Sequence, residues 1–212
     1  MTDLLTDPAG EAPSDPVSVL AFARAYHAAT LLVASQPALM GFAGWPLALP
    51  NPKPPRPVPA AAILRDWAEG ASAVTVSLHE AVRGIADYAD WQQTYSEAEV
   101  GADFLARYGW FELVGPEGHF RSEGLRAYIA YWGAHLYYPW HLHEAEELYY
   151  ILAGQALFEA EGMAPQMLGP GDLRLHAANQ PHAMTTTDSP VLALVLWRGA
   201  GLAEAARMGR GG

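Results

Sequence analysis

The sequence predicts a mainly β protein with an α-helical N-terminal segment: a small β-barrel or jelly roll preceded by several helices. Three observations carry this. Residues 14–110 read as helical outside a proline-dense connector, with the run to about Ala34 rich in Ala and Leu. After Trp110, short aromatic and β-branched runs alternate with Gly, Pro and Asp turns, the texture of an all-β unit. No repeat, low-complexity tract or heptad run interrupts either half. With 212 residues, 51% of them hydrophobic and 17% charged, the chain can bury a real core and is not disordered throughout. The expected organisation is a helical segment over 1–110, a barrel over 111–200 and a tail over 201–212.

Ser14, Asp15 and Pro16 supply a cap and a first-turn proline, so a helix runs from there to about Ala34, with Leu20, Ala23, His27 and Leu31 near one face. The connector at 50–59 contains NPKPPRPVP, which fits neither helix nor central strand and reads as an extended surface tether. From Ala60 to about Tyr108 the pattern is helical again, broken near Gly70 and Gly84. Trp67, Tyr88, Trp91 and Tyr95 read there as packing aromatics.

Composition removes whole classes of function. A net charge of −11, with Lys53 the only lysine, argues against a nucleic-acid surface. The absence of cysteine excludes disulfides, thiolate nucleophiles and cysteine-held zinc or iron–sulfur centres. Any metal must therefore sit on histidine, carboxylate or tyrosine oxygen, and the chain has 8 histidines. The first sixteen residues lack a basic region followed by an apolar run, and Val191–Trp197, read as the longest strongly apolar stretch, is too short to span a bilayer. A soluble, cytoplasmic protein with no membrane or nucleic-acid partner is expected. An exposed barrel edge is compatible with a homodimer.

The informative stretch runs from Gly133 to Gly154. Alternate residues of a strand share a face, so His141 and His143 point the same way, as do Glu147 and Tyr149 on the next strand. A turn through Glu144–Glu146 would bring these strands together and converge the four side chains. Two imidazoles and a carboxylate suit one divalent ion such as Zn, Fe, Mn, Ni or Co. His182, opening a later strand, would add a third imidazole. His135 and His176 read as structural or as neighbours of a ligand, and His27, His79 and His119 as surface or packing residues. Glu144 and Glu146 read as a solvated turn.

Over residues 124–198 the chain resembles the cupin family. The family's H-x-H-x3-E-x6-G pattern is met by His141, His143, Glu147 and Gly154, although Gly133 is separated from His141 by seven residues where the motif has five. In the second motif Gly171 and His182 match. Ala177 stands for proline, Asn179 for glycine and Thr186 for asparagine; Asn tolerates the left-handed turn that the glycine would occupy. The run YYPWHLHEAEELYYILAG is similar to the cupin-type dimethylsulfoniopropionate (DMSP) lyases of marine bacteria, which carry a Tyr two residues after the motif Glu. The resemblance implies a metal held by His143, Glu147, Tyr149 and His182. His141 would then neighbour the ligands, or join them in another state, and Tyr138 would line the substrate pocket.

The implied reaction is β-elimination from a zwitterionic sulfonium carboxylate, giving dimethyl sulfide, acrylate and a proton. A metal accepting the substrate carboxylate would neutralise the charge that opposes proton removal beside it. A phenol is a poor base at neutral pH, but a nearby cation favours phenolate. Tyr149 is thus the expected base, with Tyr138 and His141 the other catalytic candidates. A dialkylsulfonium has no hydrogen-bond donors and suits aromatic faces, for which Tyr138, Trp140 and Tyr137 are the candidates. An iron-dependent cupin dioxygenase uses similar ligands and is the competing enzyme class; Tyr149 favours the lyase. A sugar-binding or regulatory cupin ranks last, because the N-terminal half lacks the basic charge of a DNA-binding unit.

Overall fold

The structure, a computed structural model, describes residues 15–209. The helices are α1 (Pro16–Ser35), α2 (Pro37–Phe42), α3 (Pro59–Asp66), α4 (Val76–Ile85), α5 (Glu97–Val100) and α6 (Ala102–Ala106). The strands are β1 (Leu49–Pro50), β2 (Tyr108–Gly115), β3 (Phe120–Arg121), β4 (Arg126–Trp132), β5 (Tyr137–Leu142), β6 (Glu146–Ala160), β7 (Gln166–Leu168), β8 (Leu173–His176), β9 (His182–Arg198) and β10 (Arg207–Met208). They form one hydrogen-bonded sheet, which does not close, in the order β1-β3-β2-β4-β9-β5-β10, with β6 bridging β7, β8 and β9. The expected helix-then-strand order holds.

Strand β9 organises the sheet. Along one edge it pairs with β5 near His182 and with β4 from Val191 to Trp197, and along the other with β6. Both faces are buried. Leu192, Leu194 and Leu196, with Ile129, Tyr131, Leu148 and Tyr150, pack against the helices, whereas Val191, Ala193, Val195 and Trp197 join an aromatic cluster with Tyr128, Trp132, Tyr138 and Tyr149. Burial of each such leucine is worth about 2 kcal/mol. The helices α1, α3 and α4 therefore cover the back of the sheet. The stretch around α6 packs instead on the aromatic side, through Tyr95 and Phe104.

Helix α1 starts where the sequence places it, with the Asp15 carboxylate accepting a hydrogen bond from the Val17 amide at 3.1 Å. Ser14 and everything before it lie outside the described residues, as do residues 210–212. The expected inward face is corrected. Leu20 and Leu31 are 54% and 57% exposed, and Ala23 and His27 are exposed too. The core takes Ala25, Ala29, Leu32 and Val33, flanked by Phe22 stacked on His119 at 4.0 Å and Tyr26 stacked on Phe120 at 4.3 Å. Both stripes are apolar, and the one with small residues lets the neighbouring chain approach closely while its two aromatics reach the sheet. Helix α1 is also long and apolar enough to cross a bilayer by length and composition, so Val191–Trp197 is not the longest apolar stretch.

Two further expectations change. Between 60 and 108 only α3 to α6 are helical, and residues 67–75 and 86–96 are not. The proline connector is more than a tether, because Leu49 and Pro50 pair with β3 and Asn51 donates its amide hydrogen bond to the His119 carbonyl at 2.8 Å. The tail also belongs to the sheet, with β10 pairing antiparallel to β5.

Gly154 illustrates how a motif glycine earns its place. It sits at φ +72° in a β6 bulge, its amide donates to the Gly70 carbonyl at 2.9 Å, and an added Cβ would lie 1.8 Å from the Pro190 carbonyl oxygen. Replacing Gly154 by Ala should cost about 1–3 kcal/mol from backbone strain alone, more with the overlap. Chemical denaturation should show the loss as a lower midpoint; an unchanged midpoint would mean that the bulge relaxes freely.

Candidate metal centre and aromatic cavity

The candidate ligands are delivered by three strands and one turn. His141 lies near the end of β5, opposite His182 at the start of β9. Glu147 and Tyr149 follow one another on the inner face of β6, where Glu147 lies opposite both His176 of β8 and Trp197 of β9. His143 and Glu147 come together with His182, but not by the expected route, while His141 and Tyr149 line the adjoining cavity. Strands β5 and β6 do not pair with each other; the turn after His143 carries the chain from one edge of β9 to the other. Glu144 is exposed, whereas Glu146 opens β6 and pairs with Arg198 at 2.8 Å.

His143, Glu147 and His182 are buried, with ligand atoms all within 4.8 Å of one another, so they could hold a metal ion. The Oε2 atom of Glu147 lies 3.2 Å from His143 Nε2 and 3.0 Å from His182 Nε2, while Oε1 accepts a hydrogen bond from Trp197 Nε1 at 2.7 Å. The opposite ring nitrogens identify the tautomers. Nδ1 of His143 lies 2.9 Å from the Ala145 carbonyl, and Nδ1 of His182 lies 2.8 Å from the Gln180 carbonyl. Each Nδ1 must therefore carry a hydrogen. In a neutral imidazole the Nε2 lone pair then faces the same carboxylate oxygen, an arrangement that a cation between them stabilises. His182 Nε2 is buried beside the Glu147 carboxylate but makes no hydrogen bond of good geometry with it, a mismatch that a ligand bond would satisfy. The residues present fit a divalent ion.

The electrostatics are those of a buried carboxylate among imidazoles. Burial pushes Glu147 upward, but His143 and His182 outweigh it and hold the carboxyl well below its usual range. Burial pushes His143 down, and Glu147 reverses this to a net rise. His141 is pushed down to about 3 by burial and then by His182; its Nδ1 lies 2.8 Å from the Pro139 carbonyl, which leaves Nε2 free. Tyr149 is raised well above an ordinary phenol by burial, then by Glu147 and Tyr108; Tyr138 is raised likewise by burial, then by Tyr108 and Tyr95.

Beside this group lies a cavity of about 320 Å³. Tyr138, His141, His143, Glu147 and Tyr149 line it. Tyr137 is 49% exposed, and neither it nor Trp140 lines the cavity. The cause is an irregularity between Tyr138 and His141, which turns Tyr138 inward with His141 despite a spacing of three. The aromatic wall is supplied instead by Tyr108, Trp110, Tyr128, Trp132 and Trp197. His176 is fully buried with its ring stacked on His182 at 4.0 Å, whereas His135 is exposed near Asp188.

Residues 50–193 match the family model for dimethylsulfoniopropionate lyase. The chain belongs to the dimethylsulfoniopropionate lyase family. It is 43% identical over 169 residues to the DMSP lyase DddQ of Ruegeria pomeroyi, covering 79% of this chain and 84% of that protein. A solved chain described with the crystal structures of the DMSP lyases RdDddP and RnDddQII superposes with a TM-score of 0.88 at 43% identity, over 91% of this chain and 99% of that one. The crystal structure of Ruegeria pomeroyi DddQ gives 0.85 at 40% identity, over 89% and 96%.

Sequence reasoning did not single out Tyr108, Trp110 and Tyr128 as cavity residues in this DMSP lyase family member. The signal for Tyr128 was strand parity: Arg126, Tyr128, Ala130 and Trp132 share one face of β4 and all line the cavity. Trp197 stacks on His143 at 4.1 Å while donating to Glu147. Trp197→Phe would keep an aromatic face on His143 and remove the donor to Glu147. Loss of such a partner costs about 10–100-fold in metal affinity. Competition titration with Zn²⁺ and a chromophoric chelator should show that loss, and unchanged affinity would mean that the Trp197 hydrogen bond does not orient the carboxylate.

Proposed function

We propose that this protein cleaves dimethylsulfoniopropionate to dimethyl sulfide and acrylate by metal-dependent β-elimination. The observation that carries the reading is the convergence of His143, Glu147 and His182 on one point at the wall of an aromatic cavity. Similarity to proteins named as DMSP lyases supplies the substrate.

In this reading His143, Glu147, Tyr149 and His182 hold one divalent ion of the Zn, Fe, Mn, Ni or Co type. When bound, the ion neutralises the substrate carboxylate and lowers the pKa of a neighbouring phenol. Tyr149 is the base. Its phenol is raised by burial beside Glu147, so it is ready to act only once that effect is reversed. It removes the proton on the carbon next to the carboxylate. The electron pair forms the carbon–carbon double bond, the carbon–sulfur bond breaks, and its pair leaves with sulfur as neutral dimethyl sulfide. Tyr138 and His141 flank the reacting end; their ring centroids lie 4.3 Å apart, and both line the cavity. The walls of Tyr128, Trp132 and Trp197 exclude water and present π faces to the sulfonium methyls.

Headspace dimethyl sulfide should appear when purified protein meets DMSP, vanish with a chelator, and return when one of Mn, Fe, Co, Ni or Zn is restored. Tyr149→Phe and His143→Ala should each lower turnover by at least about a hundredfold, the lower end of what a general base contributes. Full activity in Tyr149→Phe would move the base to Tyr138 or to a bound water. No release with any metal, from folded metal-loaded protein, would remove the lyase reading.

A further inference from the structure

The segment after β9 folds back across the cavity mouth. Leu202 and Met208 pack against the aromatic cluster, and β10 is fixed to β5 by pairing of Arg207 with Leu142 and Met208 with His141. The Gly209 amide adds a hydrogen bond to the Trp140 carbonyl at 2.8 Å. Between these anchors the residues that line the cavity are Ala203, Glu204, Ala205 and Ala206. Three of the four offer only a methyl group. Glu204 is the single functional side chain that this strap brings to the mouth.

Its charge is also available. Glu204 is exposed and makes no ion pair among the described residues. The other charged side chains lining the cavity are committed: Arg126 lies 3.3 Å from Glu112 and donates to the Tyr128 hydroxyl at 3.1 Å, and Glu147 is engaged by His143, His182 and Trp197. Among the lining residues Glu204 is therefore the exposed charge without an ion pair, and the candidate ligands are buried.

We propose that Glu204 is a specificity residue that discriminates the zwitterionic substrate from the anionic product. This rests on the lyase reading. A sulfonium carboxylate drawn in by its carboxylate leaves its cationic end toward the mouth, where Glu204 attracts it. Elimination removes the cation as neutral dimethyl sulfide. Acrylate retains only the negative charge, which Glu204 repels. One carboxylate thus favours entry of substrate and departure of product.

The test is Glu204→Gln, with Glu204→Lys as the amplified variant, in protein loaded with whichever metal restores turnover. At low ionic strength Glu204→Gln should raise KM for DMSP about two- to five-fold, the range of an exposed charge pair. The inhibition constant of acrylate should move the opposite way, toward tighter binding. 4-Methylpentanoate, with carbon in place of the sulfonium, should follow acrylate. Glu204→Lys should enlarge both shifts, and high salt should collapse them. Unchanged constants would overturn the proposal, and so would substrate and acrylate weakening together, the mark of a merely distorted wall. If the wild type shows no turnover, calorimetry with DMSP and acrylate reads the same crossed shift directly, so failure of the lyase reading and failure of the Glu204 proposal are separate results.

Discussion

The constraint on which the structure depends is the double burial of β9. A strand with one wet face could alternate apolar and polar residues; this one is apolar from Val191 to Trp197 because helices cover one side and the aromatic cavity occupies the other. Its odd-numbered residues face the cavity here and its even-numbered leucines face α1, α3 and α4. A slip of one residue would exchange the two sets, placing leucines in the cavity and Trp197 among the helices. The pairings of β4, β5 and β6 with the same strand fix that register from both edges. His143, Glu147 and His182, from distant parts of the sequence, are thereby held in one place.

The centre itself is organised by carbonyl oxygens as much as by ligands. His141, His143 and His182 each place Nδ1 against a backbone carbonyl two residues away, at Pro139, Ala145 and Gln180. Each ring is thus set in tautomer and in plane by its own local chain. The departures from the cupin motifs are linked in a similar way. Thr186, which stands for asparagine, donates to the Gly133 carbonyl at 2.7 Å and accepts from the Leu136 amide at 2.8 Å. It clamps the loop that is longer than the motif pattern.

What the sequence revealed was set by how locally each feature is determined. The H-x-H-x3-E run and the later histidine were legible because period-two geometry and motif spacing act over a few residues, and Asn179 does adopt the left-handed conformation at φ 57°. Tyr138 and Tyr137 could not be separated, because an irregularity between Tyr138 and His141 resets which residue points inward. The phase of α1 was misread because leucines outweighed alanines, although small residues are what permit close approach. The pairing of β1 with β3 and of β10 with β5 joins segments far apart in sequence, and neither has a local signature.

The pairing of β10 with β5 places the C-terminal segment against the strand that carries Tyr138 and His141. A substitution at Arg207 or Met208 therefore acts on the strand that carries two cavity-lining residues, although neither side chain lines the cavity itself.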